Sequence, residues 1–164
     1  MKNLLRLILF CLIFYTLNVS AQISNIEGIE PVEGVVIPDT TEEIILFGWP
    51  AFGLVQSTFD GAKNKGINIS GKLGDPVLAT ADGRVVYAGA GLRGYGNLII
   101  LKHGKNYLTT YAHNSTLLVR EDQSVIKGQQ IAEMGNSDAE QIKLNFEIRK
   151  NGKPIDPMKL LPNR

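Results

Sequence analysis

The sequence predicts an all-β fold, a compact antiparallel sheet or barrel-like sandwich, on three observations. From Phe47 onward, short runs rich in β-branched and aromatic residues alternate with turn signals at close intervals. Glycine is frequent, with 17 residues spread along the chain, and glycine supplies the positive φ that tight turns need. No segment sustains the helical spacing of apolar residues over about ten positions.

The first 46 residues stand apart from that pattern. Lys2 and Arg6 flank the start of an apolar stretch from Leu7 to Val19, and Val19-Ser20-Ala21 offers the small residues that a signal peptidase reads. At about 13 residues the stretch falls short of the roughly 20 that span a bilayer. Residues 1–21 are therefore expected to be a cleaved secretory signal, the alternative being a retained anchor. Cys11, the single cysteine, follows Leu9 and Phe10 instead of the small residues of a lipoprotein signal, so no lipid anchor is expected there. A mature chain without cysteine has no disulfide. Residues 22–46 hold six acidic side chains (Glu27, Glu30, Glu33, Asp39, Glu42, Glu43) and no Lys or Arg, with Pro31, Gly34 and Pro38 among them. Such a segment reads as a solvated acidic linker. The globular domain is expected at 47–164, where 15 basic and 10 acidic residues leave a balance of +5.

Within that domain, Pro76–Ala81 and Arg84–Ala88 flank Asp82-Gly83, a hairpin signal. Asn97–His103 and Tyr107–His113 read as strands on either side of Gly104-Lys105-Asn106. Gln130–Met134 and Leu144–Arg149 read as a weaker pair, after which Asn151-Gly152 turns the chain again. His103, beside its turn, reads as a surface histidine. The glycine-rich Gly89–Gly96 stretch has no helix after it to present an N-terminus to a phosphate, so it reads as a loop at the rim of the sheet.

Six stretches occur in an order and spacing that resemble the lysostaphin-type (LytM) peptidase domain. They are Phe47-Gly48-Trp49-Pro50, Asn64-Lys65-Gly66-Ile67-Asn68-Ile69, Ala79 through Gly89, Leu92 through Ile100, Tyr111-Ala112-His113-Asn114 and Leu144 through Arg149. Together they cover roughly residues 47–161 and are similar in particular to the branch of murein hydrolase activators. The resemblance implies the LytM form of the all-β fold, with its duplicated hybrid motif.

Active members of that family hold one zinc with a His and an Asp four residues apart, plus the second His of a His-x-His strand. The first His of that strand and the His of a Tyr-x-His strand assist. Zinc needs three protein ligands and an open fourth position, where it lowers the pKa of its water and polarises the peptide carbonyl. In this sequence Asn64, Asn68 and Asn145 stand at the three ligand positions, and Lys143 at the first His of the pair; only His113 matches. A carboxamide oxygen is a weak, uncharged zinc ligand, and Lys143 adds a positive charge. The expectation is no metal, no cofactor and no catalytic residue. His113 alone, with neither metal nor thiol beside it, reads as hydrogen-bonded structure.

Degenerate members of the family bind and switch on N-acetylmuramoyl-L-alanine amidases, which split septal peptidoglycan, through the groove that once held the metal. The resemblance thus implies a non-catalytic, periplasmic or secreted amidase activator. Its groove floor would carry Asn64, Asn68, His113, Lys143 and Asn145, with Arg93 and Tyr95 on the rim loop. Amides and a lysine suit hydrogen bonds and ion pairs to a partner segment. One alternative is a peptidoglycan-binding module, since a balance of +5 attracts an anionic wall. The other is a zinc endopeptidase, which needs an unexpected metal site. Neither a nucleic-acid partner nor a membrane span after signal cleavage is expected.

Overall fold

The computed structural model describes residues 44–164; the expected signal sequence and nearly all of the 22–46 linker lie outside the described residues. The expected all-β class holds. Ten strands run in chain order among the described residues: β1 (Val55–Ser57), β2 (Ile67–Ser70), β3 (Pro76–Leu78), β4 (Gly83–Gly89), β5 (Asn97–His103), β6 (Tyr107–Leu117), β7 (Ser124–Val125), β8 (Gln130–Met134), β9 (Lys143–Lys150) and β10 (Lys153–Ile155). A short 3-10 turn at Pro157–Lys159 follows. The main path of the sheet is β1-β2-β9-β6-β5-β4-β7; β10 pairs with β9, and β8 joins β3 to β6. Every strand pairing is antiparallel.

Strand β9 forms the seam. One edge meets β2, with Ile67 opposite Phe146 and Asn68 opposite Asn145. The other meets β6, with Tyr111 opposite Phe146 and Thr110 opposite Glu147. Alternation then sorts its side chains: Leu144, Phe146 and Ile148 are fully buried in the core, while Lys143, Asn145, Glu147 and Arg149 occupy the opposite face. Phe146 packs on Tyr111 with ring centroids 5.4 Å apart. Each such large side chain contributes roughly 1.5–3 kcal/mol by leaving water.

A chain of polar groups runs through this core. The Tyr111 hydroxyl is fully buried and accepts from the Thr80 N–H at 3.0 Å. It also lies 2.9 Å from Thr80 Oγ1 and 3.0 Å from Thr109 Oγ1. Thr109 Oγ1 is 2.7 Å from His103 Nε2, and His103 Nδ1 donates to the Asp82 carbonyl at 2.7 Å. Phe47 sets its ring edge-on to the imidazole, 5.6 Å away. His103 is thus a core residue, 1% exposed, and not the surface histidine its neighbouring turn suggested. Its partners come from residues distant in sequence.

Two strand pairings also differ from the sequence expectation. Pro76–Leu78 pairs with β8, and β4 pairs with β5 and β7, so Asp82-Gly83 closes no hairpin. The polar groups of Asp82 are engaged elsewhere: its carbonyl by His103 and its carboxylate by the Lys127 N–H at 2.7 Å. A Cβ at Gly83 would sit 2.6 Å from the Lys102 carbonyl oxygen, so close packing, not a turn, requires glycine there. Both Gln130–Met134 and Lys143–Lys150 are strands, but β6 intervenes and only a Gly135–Lys143 bridge links them directly. The β5–β6 hairpin and the Asn151-Gly152 turn stand as read, the latter with φ of 51° and 77°.

The chain leading into β1 is clasped by residues from the far end of the sequence. Trp49 Nε1 donates to the Pro162 carbonyl at 2.9 Å. The Arg164 guanidinium stacks 3.7 Å over the Trp49 ring and donates to the carbonyls of Ala51 and Gly53.

Replacing Tyr111 by Phe removes the centre of the buried chain and strands the Thr80 N–H. The expected loss is about 1–3 kcal/mol of unfolding free energy, read from urea melts. Burial holds the His103 imidazole below its ordinary pKa, against the pull of the Asp82 carbonyl. The unfolded chain then binds this proton more readily. Stability should be full above about pH 6.5 and decline as pH falls below it. A His103→Gln chain should show a shallower decline in urea midpoint between pH 7.5 and 5; an unchanged slope would remove His103 from the account.

Candidate functional site

The polar face of β9, His113 of β6, the turn before β2 and the 90–96 loop enclose a cavity of about 290 Å³, lined by Lys63, Asn64, Lys65, Gly94, Tyr95, His113, Asn145 and Glu147. Register explains how residues so far apart in sequence meet. Asn68 and Asn145 are directly opposed across the β2–β9 ladder, and the Asn145 Nδ2 donates to Asn68 Oδ1 at 2.9 Å. Asn68 Nδ2 donates to Ser57 Oγ on the edge strand β1 at 2.6 Å. Asn64 Nδ2 donates to the same hydroxyl at 3.2 Å and to the Thr58 carbonyl at 2.8 Å. The three asparagines form one hydrogen-bonded chain through Ser57.

Asn64 is held by the turn before it. The Asp60 carboxylate accepts from the N–H groups of Ala62, Lys63 and Asn64 at 2.8–3.0 Å, an Asx-type closure. Those N–H groups, Asn64's foremost, hold the Asp60 carboxyl below its usual range.

His113 reaches the cavity because β6 breaks its alternation. The residue has φ of +68°, and register shifts flank it in both the β5 and β8 pairings. Its N–H donates to the Tyr95 carbonyl at 2.9 Å, tying the strand to the 90–96 loop. Its Nδ1 lies 2.9 Å from the Ser137 carbonyl oxygen. A carbonyl only accepts, so Nδ1 carries the proton and Nε2 is left as an acceptor. Burial, reinforced by the Lys143 ammonium, pushes the imidazole below its ordinary pKa; the Ser137 carbonyl and Asp138 oppose. The neutral ring is favoured.

Of the seven residues expected at the site, Asn64, Tyr95, His113 and Asn145 line the cavity directly. Asn68 lies beside it, bonded to Asn145. Lys143 is half-buried two residues before Asn145, on the same face of β9. Arg93 is exposed on the loop and does not line the cavity. Sequence reading missed Glu147, Lys63, Lys65 and Ser57. Period-two spacing from Asn145 signals Glu147, and adjacency to Asn64 signals both lysines. Ser57 had no local signal.

Glu147 is the unusual member. Only 3% exposed, it receives the Tyr95 hydroxyl at 3.4 Å on Oε1. Burial raises its carboxyl pKa, against the pull of Arg149, Lys65 and Tyr95.

The residues at the three ligand positions do not fit a zinc ion. Their amide N–H groups are committed to Ser57, Thr58 and Asn68, and a carboxamide offers a dication neither an anionic nor an imidazole ligand. Among the described residues no three His, Cys, Asp or Glu come together as a metal site.

Comparison with known proteins gives the lineage. Residues 62–157 match the model of peptidase family M23. The chain is 55% identical over 120 residues to the lipoprotein NlpD/LppB homolog of Pseudomonas aeruginosa, covering 72% of this chain and 40% of that one. It is 53% identical over 127 residues to murein hydrolase activator NlpD of Escherichia coli, covering 76% and 34%. It thus spans less than half the length of these relatives. Among solved structures, a zinc-containing peptidase from Vibrio cholerae superposes with a TM-score of 0.67 at 28% identity, covering 71% of this chain and 41% of that one. A family match over most of the chain and these identities agree with the architecture: the chain belongs to peptidase family M23, the LytM domain family, with asparagine at each position where a zinc ligand is expected.

Proposed function

We propose that the chain is a non-catalytic M23 domain that binds a cell-wall N-acetylmuramoyl-L-alanine amidase and activates it during septal peptidoglycan splitting, in the periplasm after loss of residues 1–21. The observation that carries this reading is the Asn64–Ser57–Asn68–Asn145 chain, which fills the ligand positions with committed carboxamides. Carboxamides are a poor ligand set for the Lewis acid that generates zinc hydroxide, and His113 has no nucleophile within its hydrogen bonds. What remains is a recognition surface. Asn64, Asn68, His113, Lys143 and Asn145 form its floor, and Arg93 and Tyr95 its rim. The E. coli relative bears the name of a murein hydrolase activator, in keeping with a site that binds rather than cuts.

The charge of the domain favours a second reading, a module that holds the anionic wall without an enzyme partner. A balance of +5 over residues 47–164 raises local concentration and on-rate at such a surface. Wall binding of that kind weakens steeply with salt.

Dye release from labelled peptidoglycan separates the readings. Added to an amidase of the same envelope, the mature chain should raise release severalfold; alone, with or without zinc, it should release nothing. Lys143→Glu should lower the activating affinity by about tenfold, equivalent to about 1.4 kcal/mol. Salt-sensitive wall binding with no change in amidase rate would favour the second reading.

Metal content gives an independent check. The native chain should retain no zinc after dialysis, measured by mass spectrometry. The variant Asn64→His/Asn68→Asp/Lys143→His/Asn145→His should retain about one zinc per chain, since it regains three good ligands and loses a cation. Stoichiometric zinc in the native chain would mean that the carboxamide argument is wrong.

A further inference from the structure

Glu147, at the wall of the cavity, lies among polar groups that the fold itself leaves unsatisfied. Among the described residues, four buried side-chain atoms have no hydrogen-bond partner: Thr110 Oγ1, Asn114 Oδ1, Glu147 Oε2 and Arg149 Nε. Three of the four share one neighbourhood. Thr110 and Glu147 are directly opposite across the β6–β9 ladder, so their side chains leave the sheet on the same face. Arg149 follows two residues after Glu147 on that face, its Nε 3.9 Å from Glu147 Oε2, too far for a hydrogen bond. Each such group in a native interior calls for an explanation, and three side by side point to a place where another group binds.

Space and access are provided. Tyr95 covers the carboxyl through a long contact of 3.4 Å. It sits between Gly94 and Gly96, which have φ of +87° and +59°, on the loop joining β4 to β5. A Cβ at Gly94 would meet no atom within 4 Å, so the loop has room on its outer side. The cavity opens directly onto Glu147 and Tyr95.

Donor and acceptor roles select the ligand. Arg149 Nε only donates, an ionised Glu147 only accepts, and the Thr110 hydroxyl does either. A carboxylate would face Glu147. An ammonium would face Arg149, with Lys63 and Lys65 at the entrance. A group with an N–H and a C=O side by side satisfies both ends at once. We propose that Thr110, Glu147 and Arg149 form a receptor for one carboxamide of the protein partner, a backbone peptide or an Asn or Gln side chain, and that Tyr95 moves aside to admit it. This assignment rests on the amidase-activator reading for the partner's identity, but not for the chemistry of the receptor.

Two experiments keep those layers apart. The first needs no partner: N-methylacetamide is titrated into the full mature chain while the Arg149 Nε–H and Tyr95 amide signals are followed by ¹⁵N NMR, with acetate and methylammonium at equal ionic strength alongside. Saturable shifts of both signals with N-methylacetamide alone are expected. No saturable shift, or an equal response to acetate, overturns the receptor. The second measures amidase affinity for Thr110→Val, Glu147→Leu and Arg149→Leu. Each is expected to weaken binding about tenfold, and the urea midpoint of Thr110→Val should hold or rise, because that change removes only an unmatched buried hydroxyl. Wild-type affinity in all three overturns the receptor. Absence of amidase binding by the wild-type chain overturns the activator reading instead, and the NMR result then decides the receptor by itself.

Discussion

The double pairing of β9 is the constraint from which the rest of this structure follows. Held by β2 on one edge and β6 on the other, the strand cannot shift by one residue without exchanging its two faces. That slip would expose Leu144, Phe146 and Ile148 and drive Lys143, Asn145, Glu147 and Arg149 into the core. The hydrophobic effect therefore fixes the polar row with the same certainty as the core. Placement of Asn145 against Asn68 is a by-product of packing Phe146 against Tyr111.

The carboxamide chain shows how hydrogen bonds alone can tie together the walls of this M23 pocket. Zinc would draw its ligands together by coordination. Here Ser57 accepts from two asparagines, and the third closes onto Asn68, so side chains from β1, β2, the turn before it and β9 are still tied together. Each such bond contributes only about 1 kcal/mol net. Their number and their position at a sheet edge matter more than their individual strength. The result is a row of carboxamides on the polar face of the sheet, with Lys143 and Glu147 on either side of Asn145 and Lys63 and Lys65 at the margin.

Much of this was legible in the sequence, and the boundary of legibility has a physical basis. Strand identity and the β5–β6 hairpin follow from local alternation and turn chemistry, and the asparagine substitutions are visible once the motif order is recognised. His103 was misread because its environment is made by Phe47, Asp82 and Thr109, and no local pattern announces a buried imidazole. Asp82-Gly83 carried a true turn signal that tertiary hydrogen bonds overrode. Glu147 followed by simple period-two counting from Asn145, whereas its burial beneath Tyr95 depends on a loop whose course the sequence does not dictate.

The clasp between Trp49 and Arg164 bears on how such a domain travels between proteins. It ties the segment ahead of β1 to Pro162 and Arg164, so the first and last parts of the domain lie side by side. A module with adjacent ends can be spliced behind leaders of any length without straining its sheet. Relatives more than twice as long as the matched segment fit that modular economy.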